Sequence, residues 1–336
     1  MRLSPLEAVG RGVERAWLRS PELEVSVLTL GAALDRVLVP DPDGVVGDVH
    51  LHTADLAVRR RRTANPYLGV TVGRVANRIA GARFPLDGRS VAVDANEGPN
   101  QLHGGPEGFH LRTWEVVDRA EGPDGAHVTF GLTSPDGDQG YPGTLRAEVT
   151  YRVRGPVLTI EHRATTDAPT VVSLCNHAYW NLDGEGPVTG HRLAVAADRY
   201  LPVDRAGLPS GGLEPVAGTA FDLRRSPLVG DVVAATGGLD HSYAVGGPGG
   251  EAVLRPVAWL GGPRSGRVLE VRTDRPALQV YAGAHLTAPF TAHQGLCLEA
   301  QAFPDTPNRP DLGSVVLRPG EVHRSTTELH FGRIGG

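Results

Sequence analysis

Short stretches that alternate apolar with polar residues recur along almost the whole chain, and turn-forming residues separate them. Alternation with a period of two residues is typical of β-strands that bury one face. Glycine and proline contribute 44 and 27 of the 336 residues and are spread out, which indicates many turns. Examples of the strand-like stretches are LEVSVLTL (23–30), HVTFGLT (127–133), LRAEVTYRV (145–153), VLTIEHRA (157–164), RVLEVRT (267–273), LQVYAG (278–283) and GLCLEA (295–300).

Patterns with the period of a helix are nearly absent from the sequence. ADLAVRR (54–60) and LVGDVVAA (228–235) each indicate one short helix. Strands in series, without helices between them, favour a large antiparallel β-sandwich in the all-β class. No fixed repeat and no break in composition marks a linker, so we expect residues 1–336 to form a single domain.

Charge and residue usage exclude several classes of function. The net charge is −5, so the chain lacks the basic surface that nucleic-acid binding requires. Lysine is absent, which excludes Schiff-base chemistry and the lysine of a phosphate loop.

The cellular location is also an expectation from the sequence. The first 18 residues carry charge throughout and no apolar run is long enough to span a bilayer, so we expect no signal peptide and no membrane anchor. Two cysteines, Cys175 and Cys297, lie far apart in the sequence and do not indicate a disulfide framework. We therefore expect a protein of the reducing cytoplasm.

The stretch SLCNHAYWNLDG (173–184) places His177 among aromatic residues. Along a strand, Cys175, His177 and Tyr179 would share one face and Trp180 would point to the other. A histidine beside aromatic rings suits a polar ligand with an apolar face, such as a sugar ring. A lone histidine on a strand is more often a satisfied core residue, so the residues alone leave both interpretations open.

Glu299 lies within the apolar run of GLCLEAQAFPDTPN (295–308). A buried carboxylate is costly unless it is paired or used. Burial would raise its pKa and make it a better base near neutral pH. The alternative is a buried glutamate satisfied by backbone amides.

Three further stretches hold polar residues between turn-forming ones. His103 precedes two glycines in NQLHGGPEGF (100–109), Asp240 lies in GLDHSY (238–243), and Arg74 lies in GRVANRIAGARF (73–84). An arginine fork can bind two hydroxyls or a carboxylate. The other interpretations are a solvated loop histidine and a surface arginine.

A metal site is not expected. His50 and His52 form an H-x-H pair, which would place both on one face of a strand. No nearby glutamate or third histidine completes a ligand set.

Taken in order, many stretches of the chain resemble the aldose 1-epimerase (galactose mutarotase) family. The similarity covers about residues 23 to 332. The stretches that carry it are VLTLGAALDRVLVPD, NPYLGVTVGRVANRIAGARFPLDG, NQLHGGPEGFHLRTWEV, SLCNHAYWNLDG, ADRYLPVD, GTAFDLR, GLDHSYAV, LQVYAGAHL and LEAQAFPDTPN.

The resemblance implies a β-sandwich with an open sugar-binding cleft across one sheet. It implies interconversion of the α and β anomers of free aldohexoses such as galactose and glucose, without a cofactor. By position in the motifs, Glu299 corresponds to the base that takes the proton of the anomeric hydroxyl, and His177 to the acid that protonates the ring oxygen. The resemblance implies contacts with the substrate for the following residues: Arg74, Asn77, His103, Asp240, Gln279 and Tyr281.

The chemistry is compatible with these two groups. Opening a cyclic hemiacetal removes one proton from a hydroxyl and delivers one to the ring oxygen, so neither metal nor nucleotide is required. We expect Glu299 to be desolvated and His177 to stay protonated. Two departures from the family, Ala284 in place of a common asparagine and Cys175 in place of threonine or serine, bear on which sugar is preferred.

Three alternatives stay open. A sugar-phosphate epimerase would need arginines facing the phosphate, for which Arg74, Arg78 and Arg83 are candidates. A noncatalytic carbohydrate-binding module would bind sugar without accelerating its interconversion. A retaining glycosidase using Asp240 and Glu299 would need their carboxyl groups about 5–5.5 Å apart. The expected partner is a small-molecule monosaccharide substrate, and we expect a monomer or homodimer.

Overall fold

Strands form most of the molecule, as the alternating pattern predicts. The computed structural model describes residues 5–62, 64–122, 125–246 and 252–333. Its two α-helices, α1 (Leu56–Arg59) and α2 (Val229–Thr236), lie where the sequence predicts short helices. Single turns of 3₁₀ helix occur at Ala80–Ala82, Phe109–Leu111, Asp138–Gly140, Val188–Gly190, Thr306–Asn308 and Pro310–Leu312.

The strands are numbered in chain order. They are β1 Glu7–Gly10, β2 Val13–Arg19, β3 Glu24–Leu28, β4 Ala33–Pro40, β5 Val46–Asp48, β6 Thr71–Val72, β7 Arg78–Ile79, β8 Arg83–Leu86, β9 Arg89–Ala92, β10 Gln101–Leu102, β11 Glu115–Gly122, β12 Gly125–Ser134, β13 Leu145–Arg154, β14 Val157–Thr166, β15 Thr170–Val171, β16 Cys175–Asn176, β17 Tyr179–Trp180, β18 Arg192–Val195, β19 Arg199–Leu201, β20 Glu214–Pro215, β21 Asp240–Ala244, β22 Arg255–Gly261, β23 Arg267–Thr273, β24 Ala277–Tyr281, β25 Leu296–Gln301, β26 Val316–Leu317 and β27 His323–Arg333.

Three larger sheets carry the fold. An eight-stranded sheet has the order β11-β12-β13-β14-β27-β23-β22-β18, and a six-stranded sheet has the order β17-β25-β24-β21-β19-β20. The first five strands form a third sheet in sequential order. The strand pairs in these sheets are antiparallel and none of the sheets closes on itself, which confirms the predicted all-β sandwich.

The core lies between the eight-stranded sheet and the other two. Alternate residues of β13 and β14, including Val149, Tyr151 and Ile160, are buried in one apolar cluster. Leu298 of β25 and Val27 of β3 belong to the same cluster. Because residues alternate along a strand, burial of Leu298 turns its neighbour in sequence to the opposite face of the six-stranded sheet.

The stretch around His177 differs from the single strand expected. Cys175 pairs with Val72 of β6, whereas Tyr179 pairs with Cys297 of β25, so the chain crosses between two sheets here. His177 lies at the crossing, and its N–H donates to the Val70 carbonyl at 2.9 Å. Trp180 faces the core, as expected. The strand is interrupted because the two halves have different partners.

Membrane insertion through a helix finds no support in the described residues, because neither α-helix is long and apolar enough to cross a bilayer.

Candidate active site

A cleft of about 430 Å³ opens on the outer face of the six-stranded sheet. It has an apolar and aromatic side and several convergent polar groups, as ligand sites commonly do. Its lining includes Arg62, Tyr67, Asn77, Arg78, Glu97, His103, His177, Tyr179, Asp240, Tyr281, His285 and Glu299.

Strand register places the floor of the cleft in two rows. Across β21, β24, β25 and β17, one row runs through Asp240, Tyr281, Cys297 and Tyr179. In the adjacent row, Gln279 of β24 is opposite Glu299 of β25. The residues of both rows point to the same side of the sheet because they are separated by two along each strand.

Glu299 is the buried carboxyl group of this floor. It is 2% exposed, and burial followed by the nearby charge of Asp240 raises its pKa to about 8. The Cys175 thiol and the Arg78 charge act in the opposite direction but do not offset burial. The predicted direction of the shift in pKa is confirmed, and at this pKa the carboxyl group is protonated at neutral pH.

His177 faces Glu299 from the crossing segment between β16 and β17. It is 4% exposed, and burial lowers its pKa to about 4. This pKa leaves the ring neutral at neutral pH, contrary to the expectation that His177 stays protonated. The ring is enclosed by the rings of Tyr67, His103 and Tyr179, none of which carries a negative charge that would stabilise an imidazolium.

At neutral pH, Glu299 and His177 together carry one titratable proton. His177 Nε2 lies 3.7 Å from Glu299 Oε1, which is longer than a hydrogen bond. With the carboxyl group protonated and the imidazole neutral, the pair holds as many protons as a carboxylate beside an imidazolium. One group can therefore accept a proton while the other donates one, and neither needs to exchange a proton with water first.

Two thiols contact the far sides of this pair. Cys175 Sγ lies 3.6 Å from Glu299 Oε2, and Cys297 Sγ lies 3.7 Å from His177 Nδ1. Burial raises the pKa of each thiol well above its ordinary value, so both remain protonated. The Cys175 thiol is a hydrogen-bond donor to the base, which the sequence did not indicate.

Asp240 of β21 and Tyr281 of β24 line the cleft, and the buried Gln279 of β24, which is not a lining residue, contacts Asp240. The Gln279 side-chain amide donates to Asp240 Oδ1 at 2.6 Å, and the Tyr281 hydroxyl accepts the His285 N–H at 2.7 Å. Gln279 Oε1 is buried without a hydrogen-bond partner among the described residues. An unsatisfied buried oxygen beside a cleft is available to a hydroxyl donor.

Two hydrogen bonds join His103 and Asn77 at the opposite wall of the cleft. The Asn77 N–H donates to His103 Nδ1 at 3.2 Å, and the His103 N–H donates to the Asn77 carbonyl at 3.0 Å. Burial, then the neighbouring His177, lowers the pKa of His103 well below its ordinary value. Because Nδ1 accepts a hydrogen bond, the neutral ring carries its proton on Nε2 and is a donor there.

Arg74 does not lie in the cleft, contrary to the expected contact with substrate. It is 1% exposed, and its guanidinium donates to the Ser134 hydroxyl and the Pro135 and Pro142 carbonyls at 2.9–3.0 Å. These bonds tie together loops behind the cleft wall. The fork is satisfied by protein acceptors, so Arg74 is a structural residue.

Arg78, four residues later in the same stretch, is the arginine that lines the cleft. It forks Glu97, with Nε and Nη2 donating at 2.7 and 2.8 Å. Tyr67, which the sequence analysis did not single out, packs its ring against His103, His110 and His177. Both residues fall within the NPYLGVTVGRVANR stretch, which carries part of the family resemblance.

Within the described residues, one cluster near the acid–base pair has donor atoms placed so that they could ligate a metal ion. Donor atoms of His177, Cys297 and Glu299 lie within 4.8 Å of one another. Of the H-x-H pair, His50 Nδ1 lies 3.0 Å from the Asp35 carbonyl and His52 Nδ1 lies 3.2 Å from Asp48, so each has its own partner.

Comparison with known structures agrees with the overall fold. The computed fold matches the crystal structure of a GalM/aldose epimerase homologue from C. elegans with a TM-score of 0.88 and 31% identity, over 96% of this chain and 100% of that one. The fold is thus that of a galactose mutarotase-like β-sandwich.

The sequence comparisons identify the family. The aldose 1-epimerase family profile matches residues 15–330. The aldose 1-epimerase of Escherichia coli K12 is 39% identical over 91% of each chain, and the galactose mutarotase of Rattus norvegicus is 38% identical over 97% of this chain and 96% of that one. The chain belongs to the aldose 1-epimerase family.

Proposed function

We propose that the protein is an aldose 1-epimerase that interconverts the α and β anomers of free aldohexoses such as galactose and glucose. The observation that supports this most is the placement of Glu299 and His177 in one cleft, 3.7 Å apart. Their separation suits two oxygens bonded to the same carbon atom, as the anomeric hydroxyl and ring oxygen of a pyranose are.

The reaction follows from moving the one titratable proton of this pair. With sugar bound, the carboxyl proton of Glu299 moves to His177, so the pair reacts with Glu299 as carboxylate and His177 as imidazolium while its proton count is unchanged. Glu299 takes the proton of the anomeric hydroxyl, His177 gives its proton to the ring oxygen, and the bond between that oxygen and the anomeric carbon breaks. The open aldehyde rotates about the bond to its neighbouring carbon, and the reverse transfers close the ring as the other anomer.

The walls of the cleft hold the sugar during these transfers. We assign hydroxyl binding to Arg78, Asp240, His103 and Gln279, which offer a donor fork, an acceptor, a donor and a buried oxygen acceptor. Asn77 acts by fixing His103, and Tyr281 with Tyr67 offers ring surfaces to the apolar face of the pyranose. The proton balance requires no cofactor.

The setting of the reaction is part of the proposal. Both cysteines are buried and free, which supports a reducing compartment, and we propose a cytoplasmic monomer or homodimer with a monosaccharide as its partner. The net charge of −5 argues against nucleic acid as a further partner.

Polarimetry tests the proposed activity. Freshly dissolved α-galactose, α-glucose, xylose and arabinose are followed toward equilibrium with and without the protein. We expect faster mutarotation of galactose and glucose. Binding without acceleration would instead indicate a carbohydrate-binding module, and release of a chromogenic aglycone from a glycoside would indicate a glycosidase.

A further inference from the structure

Arg78, a cationic side chain that lines the cleft, is paired with the carboxylate of Glu97. Arg78 forks Glu97 through two nitrogen atoms, and both side chains line the cleft. The Arg78 side chain is 15% exposed and the Glu97 side chain 35% exposed, so bulk water reaches the arginine less than the glutamate. A bidentate arginine–carboxylate pair of this kind fills the geometry with which arginine would otherwise bind a phosphate.

The fold builds this pair from adjacent elements. Arg78 begins β7 and is opposite Leu102 of β10. The turn before β10 is closed by reciprocal backbone hydrogen bonds between Glu97 and Asn100 at 3.0–3.1 Å. The position of Glu97 relative to Arg78 is therefore set by a strand pair and a closed turn rather than by a mobile loop.

Among the described residues of the cleft, the remaining charged groups offer an anion no unpaired cation. Asp240 lies near enough to Arg78 to interact with its charge. Arg62, at the mouth, pairs with Glu107 at 2.6 Å and is 74% exposed. Of the other arginines considered from the sequence, Arg74 is bound behind the wall, and Arg83 is exposed and does not line the cleft.

We propose that Glu97 is a specificity-determining residue: by occupying the Arg78 fork, it restricts the cleft to uncharged aldoses and excludes aldoses that carry a phosphate. An uncharged sugar needs hydrogen-bond donors, which Arg78 still offers while paired. A phosphorylated sugar brings negative charge toward Glu97 and Asp240 and finds no unpaired cation. This inference rests on the proposed aldose 1-epimerase activity.

The test compares two substrates in the same variant. Exchange between α and β anomers at equilibrium is measured by NMR magnetisation transfer for glucose and for glucose 6-phosphate, with the rate without protein subtracted. The readout is the ratio of kcat/KM for the phosphorylated sugar to kcat/KM for glucose. Because both rates come from one sample, the ratio does not depend on the fraction of protein that is folded.

Glu97→Gln should raise this ratio at least about tenfold, the effect of one charge-assisted hydrogen bond gained by the phosphate. Glu97→Asp keeps the charge and should leave the ratio near that of the wild type. Glu24→Gln is the matched control, because it frees Arg19, an exposed arginine that does not line the cleft, and should not change the ratio.

Two results would overturn the inference. One is a wild type that accelerates both sugars equally. The other is a ratio for Glu97→Gln that is unchanged, or raised no more than the ratio for Glu24→Gln. A wild type that accelerates neither sugar contradicts the proposed activity itself, whereas acceleration of glucose with an unchanged ratio contradicts the role of Glu97 alone.

Discussion

At the scale of single residues, the account depends on how burial divides one proton between two groups. Glu299 and His177 have pKa values displaced in opposite directions, to about 8 and about 4. Between these values the pair holds one proton and has both an acid and a base. At a pH outside this range, the pair lacks either the acid or the base.

The pH dependence of kcat/KM should therefore be bell-shaped with a broad plateau. Above about pH 8, Glu299 loses its proton while His177 is already neutral, so no group protonates the ring oxygen. Below about pH 4, His177 gains a second proton and no base remains. An alkaline limb near about pH 6.5, the value of an ordinary histidine, would contradict the assignment.

Cys175→Ser should move the alkaline limb to lower pH. The thiol of Cys175 donates to Glu299 and already lowers the pKa of that carboxyl group. A hydroxyl is a stronger donor than a thiol, so it favours the carboxylate further. The pH dependence of kcat/KM of the variant checks this. An alkaline limb that is unchanged or lies at higher pH would show that the Cys175 thiol does not lower the pKa of Glu299.

Replacing either arginine of GRVANR by methionine should impair a different property: sugar binding for Arg78 and stability for Arg74. Arg78→Met removes a fork that faces the sugar and should raise KM about tenfold. Arg74→Met leaves several buried acceptors unpaired and should lower the free energy of unfolding by about 2–4 kcal/mol with little change in KM. Sugar titrations and urea denaturation measure both; the reverse pattern would restore the role first expected for Arg74.

At the scale of elements, strand register decides which residues meet. The sequence predicts β25 and its buried glutamate, because LCLEA is apolar on both sides of Glu299. It does not predict that Gln279 is the partner opposite, nor that Arg78 rather than Arg74 faces the cleft. Those choices depend on pairings between distant segments, which local periodicity does not contain.

The loop that carries His103 depends on a close approach of backbone. Gly104 has φ +85°, and a Cβ there would lie 1.8 Å from the Gly73 carbonyl oxygen. Gly104→Ala should shift this loop, lowering the free energy of unfolding by about 2 kcal/mol or more and raising KM for sugar.

The control for that change is Gly88, in the turn between β8 and β9. It has φ +77°, with nothing within 4 Å of a Cβ. Gly88→Ala should cost only the backbone strain, about 1–2 kcal/mol, and leave KM unchanged. Equal effects of the two substitutions on KM would show that the Gly104 approach does not position His103.

At the scale of the whole molecule, the fold follows largely from pattern and the site follows only in part. Alternating strands and scarce helices predict the sandwich, and the family resemblance predicts the cleft. The lowered pKa of His177 was not predictable, because the rings that desolvate it come from residues as distant as Tyr67 and His103. The single domain expected over residues 1–336 stays a prediction.

The central claim is that Glu299 and His177 transfer protons to and from one sugar. The most direct test is the rate of anomer exchange of galactose, measured by NMR, for Glu299→Gln at saturating sugar. Glutamine keeps the shape of the side chain but cannot accept the proton, so kcat should fall by about 10²–10⁴-fold while sugar still binds. Turnover equal to that of the wild type would contradict the claim.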